Sequence, residues 1–262
     1  MKKRLDVLLV ERGLAPSRER ARALVLAGVV FSGERRIDKA GDVLDEAAPL
    51  EVRGADHPYV SRGGVKLEGA LDALGVDPRG LVCADFGAST GGFTDCLLTR
   101  GAGRVHAVDV GWGQLHPRLR SDPRVVVRER TNARHLRPED LGEPVDLVVI
   151  DASFIGLGKL LPAARGVLRP GGEIVAMVKP QFEVGRRELR KGVVRDPAAR
   201  TAAIDKVEAE ARALGLEVLG RCDSTRAGPE GNVEAFLRLR RPGDGERGDH
   251  DAPPQGTTTS SR

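Results

Sequence analysis

An α/β fold is what the sequence predicts: a mostly parallel, doubly wound sheet with an antiparallel last strand, preceded by a small α+β module. Three observations carry it. Short β-branched runs at 81–86, 104–110, 124–130, 145–151 and 173–179 alternate with mostly helix-length stretches, as parallel strands joined by crossover helices do. A glycine-rich turn, Gly87 to Phe93, follows the first of these strands directly. Two further runs, 216–222 and 232–240, come after the helix expected at 197–214 with no helix between them. They form a terminal pair that adds an antiparallel edge strand.

The elements follow in order. Residues 1–54 make the small module, in which Leu5, Val7, Leu8, Leu9 and Leu14 supply the apolar positions of a first helix that Gly13 ends. Ser17 N-caps a second helix that turns Ala21, Leu24 and Val25 inward and stops at Gly28. Beyond it, short apolar runs alternate with glycine and charged turns, the pattern of a twisted hairpin. Residues 55–64, with Pro58, Gly63 and Gly64, read as a linker into a second domain at 65–241. From Pro242 onward, residues 242–262 hold no apolar side chain larger than alanine and read as a disordered tail.

Composition narrows the function classes. Among 262 residues, 40% are hydrophobic and 31% charged, which excludes a wholly disordered chain. The longest apolar run, Leu24 to Phe31, is eight residues, far below the roughly 20 needed to cross a bilayer. The N-terminal apolar run is broken by Glu11 and Arg12 and has no small-residue cleavage site, so a cytoplasmic protein with no membrane contact is expected. Cys83, Cys96 and Cys222 form no CxxC pair, and neither a disulfide framework nor a metal site is expected. The net charge is only +4, but residues 1–40 carry ten Lys or Arg against five acids. That local excess points to a polyanionic partner.

The chemistry gathers at strand ends. Ser89 stands where GxGxxG needs its second glycine, and no Gly-Lys-Ser/Thr follows, so neither dinucleotide nor P-loop phosphate binding fits. Asp85 ends the first strand. Asp109 ends the second, 24 residues later, where a carboxylate accepts from both ribose hydroxyls of an adenosine moiety. The loop, the placed aspartate and the closing antiparallel pair together point to S-adenosyl-L-methionine. Asp151 and Lys179 end the fourth and fifth strands and converge over the cofactor cleft. A carboxylate beside a lysine favours the ammonium form, so Lys179 needs desolvation or a second cation, and Lys66 is available for that. Glu234 adds a second carboxylate. Four alternating charges are buried economically only as a paired network.

Two resemblances extend this reading. The stretch RLDVLLVERGLAPSRERARALVLAGVVFSGERRIDKAGDVL resembles the small RNA-binding fold shared by a ribosomal small-subunit assembly protein, tyrosyl-tRNA synthetases and many pseudouridine synthases. That resemblance covers residues 4–52 and implies that Ser17, Arg18, Arg22 and Lys39 face RNA phosphates, with Arg62 of the linker grouped with them. The blocks YVSRGGVKL, DFGASTGGFTD, AVDVGWGQL, VDLVVIDASFI, VKPQFEVGR and GPEGNVEAFL resemble the TlyA family, ribosomal RNA 2'-O-methyltransferases long labelled haemolysins.

The second resemblance implies a Rossmann-like class I methyltransferase domain similar to the FtsJ heat-shock rRNA methyltransferase, acting on cytidine in ribosomal RNA. The large subunit is the expected target, with the small subunit as a possible second. It implies a catalytic tetrad of Lys66, Asp151, Lys179 and Glu234, in which Lys179 orients the 2'-hydroxyl and helps remove its proton. Cofactor contacts fall on Asp85, Gly87, Ala88, Ser89, Thr90, Gly91, Gly92, Phe93 and Asp109, with Asn132 at the adenine edge. Trp112, beside Asp109, either lines the adenosine pocket or packs. The family's Arg-x-Trp-Val before SRG is His57-Pro58-Tyr59-Val60 here, so coupling through the linker is not carried over. The rival readings are a non-catalytic RNA-binding assembly factor and a cytolysin; the intact tetrad disfavours the first, and the 3% aromatic content and lack of a spanning segment disfavour the second.

Overall fold

The computed structural model describes residues 2–53, 57–185, 189–190, 192–228 and 231–243. The tail expected at 242–262 lies almost wholly outside the described residues, as do 54–56 at the start of the linker. In the N-terminal module β1 (Lys2–Arg4) leads into α1 (Leu5–Glu11) and α2 (Arg18–Ala27), followed by β2 (Val30–Ser32), β3 (Arg35–Arg36), β4 (Val43–Asp45) and β5 (Glu51–Val52). β2 pairs antiparallel with β3 and β5, and β1 with β4. The expected caps form: Ser17 Oγ accepts from the Arg20 N–H at 3.2 Å, and Gly28 closes α2 at φ +76°. Leu5, Leu9, Ala21, Val25, Val30 and Ile37 make a small core of their own.

The second unit runs α3 (Arg62–Leu74), β6 (Val82–Phe86), α4 (Gly92–Thr99), β7 (Arg104–Val108), α5 (Pro117–Arg120), β8 (Val125–Arg128), α6 (Pro138–Leu141), β9 (Val145–Ile150), α7 (Leu161–Val167), β10 (Leu168–Val178), α8 (Pro180–Glu183), β11 (Leu189–Arg190), β12 (Val193–Val194), α9 (Pro197–Ala213), β13 (Glu217–Asp223) and β14 (Ala235–Arg240). Seven strands form one sheet in the order β13-β14-β10-β9-β6-β7-β8. β10, β9, β6, β7 and β8 are mutually parallel, and β14 runs antiparallel to both its neighbours. Val148, Val149, Ile150, Val175 and Ala176 are fully buried, as strands covered by helices on both faces require.

Two expectations change in detail. The antiparallel strand is not the edge strand, because β14 inserts between β10 and β13. Its Phe236, Leu237 and Leu239 are fully buried, and Arg238 forms a two-pronged ion pair with Glu173 of β10 at 2.8 Å; the more exposed β13 takes the edge. Arg62, Gly63 and Gly64, expected as linker, are the first turn of α3. Gly64 serves packing: a Cβ there would lie 2.3 Å from the ring of buried Tyr59, a contact that any other residue would break.

The chain leaves β6 for β7 and β8 on one side and returns to place β9 on the other. The crevice beyond the carboxyl ends of β6 and β9 is therefore the switch point where such sheets hold ligands.

Candidate active site

At that switch point lies a cavity of about 790 Å³, lined by Lys66, Asp151, Lys179 and Glu234 together with Gly87, Ala88, Ser89, Thr90, Gly92 and Phe93. The fold thus brings the four charges to one cavity from four separate places: α3, the end of β9, the end of β10 and the start of β14. They assort as two ion pairs. Lys66 Nζ donates to Glu234 Oε2, both buried. Lys179 Nζ lies 2.5 Å from Asp151 Oδ1 and donates to Ser153 Oγ at 2.9 Å. Beyond this ion pair, Asp151 Oδ1 has no other partner among the described residues. Lys66, expected as a second cation for Lys179, gives its charge to Glu234 instead.

The glycine loop is shaped for close approach. Gly87 and Gly91 have φ of +91° and +97°, and Ser89 adopts φ +47° without being glycine. Asp109 holds that strained turn: its Oδ2 accepts from the Ser89 N–H at 2.8 Å and its Oδ1 from the Gly111 N–H at 2.7 Å. A Cβ on Gly87 would lie 2.6 Å from the Asp151 carbonyl oxygen, so the loop packs directly on the chain leaving β9. Asp85, fully buried, accepts from Thr94 N–H at 2.9 Å and Thr94 Oγ1 at 2.7 Å, both through Oδ2. Its Oδ1 has no partner among the described residues. Burial pushes the Asp85 carboxyl up to about 7.

These features fit S-adenosyl-L-methionine. A buried carboxylate oxygen with no donor among the described residues suits an ammonium group, and the small residues Gly87, Ala88, Ser89 and Gly92 in the cavity wall let a ligand lie against backbone. Not every expected contact joins the cavity. Asp85, Gly91 and Asp109 support its lining from behind, and Asn132 is outside it, its Oδ1 accepting from the Arg134 N–H at 3.1 Å as a cap. Trp112 does not pack in the core: it is 62% exposed, with the Arg130 guanidinium 5.2 Å from its ring.

The expected RNA-facing residues divide in two. Lys39 and Arg62 line the cavity. Ser17 caps α2, while Arg18 and Arg22 stand half exposed, anchored on Asp6 Oδ2 at 2.9 and 3.4 Å. Asp6, fully buried, also takes Arg4 at 3.0 Å. Hydrogen bonding from Arg4, then from Arg18, holds its carboxyl well below the usual carboxylate range against the opposing effect of burial.

Three residues escaped the sequence reading. Asp6 is one; its signal was the arginines at 18 and 22, one helical turn apart and facing a single acid. Phe154 is 91% exposed at the cavity, sits at φ +66° and lies 5.4 Å from Phe182, a costly arrangement for an aromatic residue. Glu183 is the third. Its Oε1 accepts from the Leu157 N–H at 2.7 Å and its Oε2 pairs with Lys206 at 3.3 Å, so it joins the segment after Lys179 to the segment after Asp151. Burial raises the Glu183 carboxyl above its ordinary value.

Two absences concern the described residues alone: no group of three or more His, Cys, Asp or Glu is arranged to hold a metal, and no helix is long and apolar enough to cross a membrane. Cys83 and Cys96 are buried away from the cavity, and burial pushes the Cys96 thiol up to about 12.

Sheet order, glycine loop and charged cavity define a class I methyltransferase. Residues 59–241 match the FtsJ-like methyltransferase model and residues 3–48 the S4 domain model. The 16S/23S rRNA (cytidine-2'-O)-methyltransferase TlyA of Mycobacterium tuberculosis is 50% identical over 239 residues, 90% of this chain and 89% of that protein. A proposed rRNA methyltransferase of Bacillus subtilis, YqxC, is 48% identical over 250 residues, 94% of this chain and 89% of that one. A solved structure described as a proposed hemolysin from Streptococcus thermophilus superposes with a TM-score of 0.72 at 41% identity, covering 92% of this chain and 89% of that one. The chain belongs to the TlyA family of FtsJ-like methyltransferases.

Proposed function

We propose that this protein methylates the 2'-hydroxyl of a cytidine in ribosomal RNA, with the large subunit as its principal substrate and S-adenosyl-L-methionine as methyl donor. The observation that carries the reading is the convergence of Lys66, Asp151, Lys179 and Glu234 on the cavity that the glycine loop also lines. The donor supplies an electrophilic methyl group on a sulfonium centre. Gly87, Ala88, Ser89, Thr90, Gly92 and Phe93 of the cavity wall hold it, with Asp85 and Asp109 assigned to its ammonium and ribose from behind that wall and Asn132, outside the cavity in this structure, to the adenine edge.

Lys179, ion-paired with Asp151, orients the ribose oxygen and relays its proton to Asp151 as the new O–C bond forms and the donor's S–C bond breaks, so the attacking oxygen carries no full negative charge. Asp151 fixes the lysine and is the final acceptor of that proton. Lys66 and Glu234 form a self-neutralised pair that completes the wall. Positioning contributes most, because an alcohol attacks poorly unless held in line. Phe154, exposed at the rim, offers a flat face on which the cytosine stacks. Ser17, Arg18, Arg22, Lys39 and Arg62 belong to the face that meets RNA phosphates.

The test is a map of 2'-O-methylation. Reverse transcription at low nucleotide concentration is run on both rRNAs from cells with and without the gene. A gene-dependent stop at a cytidine is expected, and two identical maps would contradict the function.

A further inference from the structure

The cavity has a rim that belongs to both halves of the chain. Asp38, after β3, accepts from Arg36 Nε at 3.1 Å and, on the same Oδ1, from the Arg62 guanidinium of α3 at 3.1 Å. Arg62 is nearly buried and packs flat on α2's terminus, where a Cβ on Gly28 would lie 2.6 Å from its Nε. Arg36, Asp38, Lys39, Arg62 and Arg226 all line the cavity that holds Lys179 and Asp151. Burial, and next the neighbouring Arg36 charge, press the Arg62 guanidinium below its ordinary value, with Arg226 adding to the effect. Two guanidiniums therefore share one carboxylate at the mouth of the site, and Arg226 lines the same cavity.

We infer that this cluster is the seat of a phosphodiester of the RNA strand entering the cavity, and that Asp38 occupies it as an internal stand-in until RNA displaces it. The inference rests on the RNA methyl-transfer reading above. A single carboxylate oxygen bridging two guanidiniums matches the way a phosphate oxygen is taken by paired arginines. Because Arg36 comes from the N-terminal module and Arg62 from the second unit, the same phosphate engages both. Asp38 keeps the seat formed without RNA and competes with it, which lowers affinity for unspecific anions.

The experiment is equilibrium binding of the full chain to purified large and small ribosomal subunits in separate arms, across a salt series. Asp38→Asn keeps the shape and removes the competing charge, so its Kd is expected to fall about two- to fivefold, the scale of one partly exposed ion pair. Arg36→Gln and Arg62→Gln are each expected to weaken binding and to take about one unit from the log–log salt slope. Asp38→Asn added to the Arg36→Gln/Arg62→Gln protein is expected to gain nothing.

Weaker or unchanged binding by Asp38→Asn overturns the inference, and so does a gain that survives loss of both arginines. If Asp38→Asn unfolds the N-terminal module, seen as a lost melting transition, unchanged salt slopes in the arginine variants still overturn it. Wild-type protein that binds neither subunit sinks the seat and the RNA reading together. Tight binding with no methyl transferred sinks the functional reading alone.

Discussion

Two aspartates are fully buried and lie at opposite ends of the molecule's work. Asp6 in the N-terminal module is saturated: three arginines converge on it and hold its carboxyl well below the usual range. Asp85 at the end of β6 is left incomplete, with one oxygen served by Thr94 and the other by nothing described, and burial pushes it up to about 7. A closed carboxylate builds structure, since its arginines are fixed and presented outward. An open one stores a binding demand that a ligand's donor can meet.

The Lys66–Glu234 pair belongs to the closed kind and gives the largest expected effect. Glu234→Gln leaves a buried ammonium without its partner, so a stability loss of about 3–5 kcal/mol and at least a hundredfold loss of methyl transfer are expected. Denaturant melts and a methyl-transfer assay measure both. Lys66→Met with Glu234→Leu is expected to recover stability without recovering activity, which separates folding from catalysis.

Next comes the open carboxylate. Asp85→Asn is expected to weaken cofactor binding by about ten- to a hundredfold, the scale of one charged hydrogen bond, with little loss of stability. On the proposed binding mode the ionised form accepts the cofactor's ammonium, so affinity is expected to rise as pH climbs from 6 toward 8 and to level off above the titration near 7. Calorimetry at several pH values reads this, and a pH-independent Kd in the wild type would remove Asp85 from the site. For stability the sign is opposite. A carboxyl raised in the fold holds its proton where the unfolded chain has lost it, so its contribution declines between about pH 4 and 7.

Asp6→Asn tests the closed cluster. The half-exposed arginines remain solvated, so about 1–2 kcal/mol is the expected loss, confined to the N-terminal module. Weaker RNA binding with an unchanged cofactor Kd, by calorimetry, is the accompanying result. The smallest effect is that of Glu183→Gln, which keeps an acceptor for the Leu157 N–H and loses the charge facing Lys206. A severalfold drop in kcat at constant cofactor Kd is expected, read in steady-state assays.

What the sequence revealed follows from how local each signal is. The sheet was legible because each strand is an apolar run with its own turn residues, and Ser17, Gly28 and Asp109 each act within a few residues of a visible break. The convergence of the four charges was legible from the strand ends at Asp151 and Lys179 and, for Lys66 and Glu234, from block resemblance, but their pairing was not. Lys66 meets Glu234 across 168 residues, and nothing in either neighbourhood signals the other. Asp38 with Arg62 and Glu183 with Leu157 were hidden for the same reason. The strand order at β14 was misjudged because pattern alone does not distinguish an inserted strand from an edge one. Burial on both faces of Phe236 and Leu237 makes that distinction.

Lys179→Ala gives the most direct test of the central claim, that this cavity places a ribose oxygen beside a lysine and a bound methyl donor. With calorimetry and a tritium-transfer assay on unmodified ribosomal subunits run in parallel, the account predicts cofactor binding within about twofold of wild type and methyl transfer reduced at least a hundredfold. A variant that binds the cofactor and methylates ribose at the wild-type rate would contradict it.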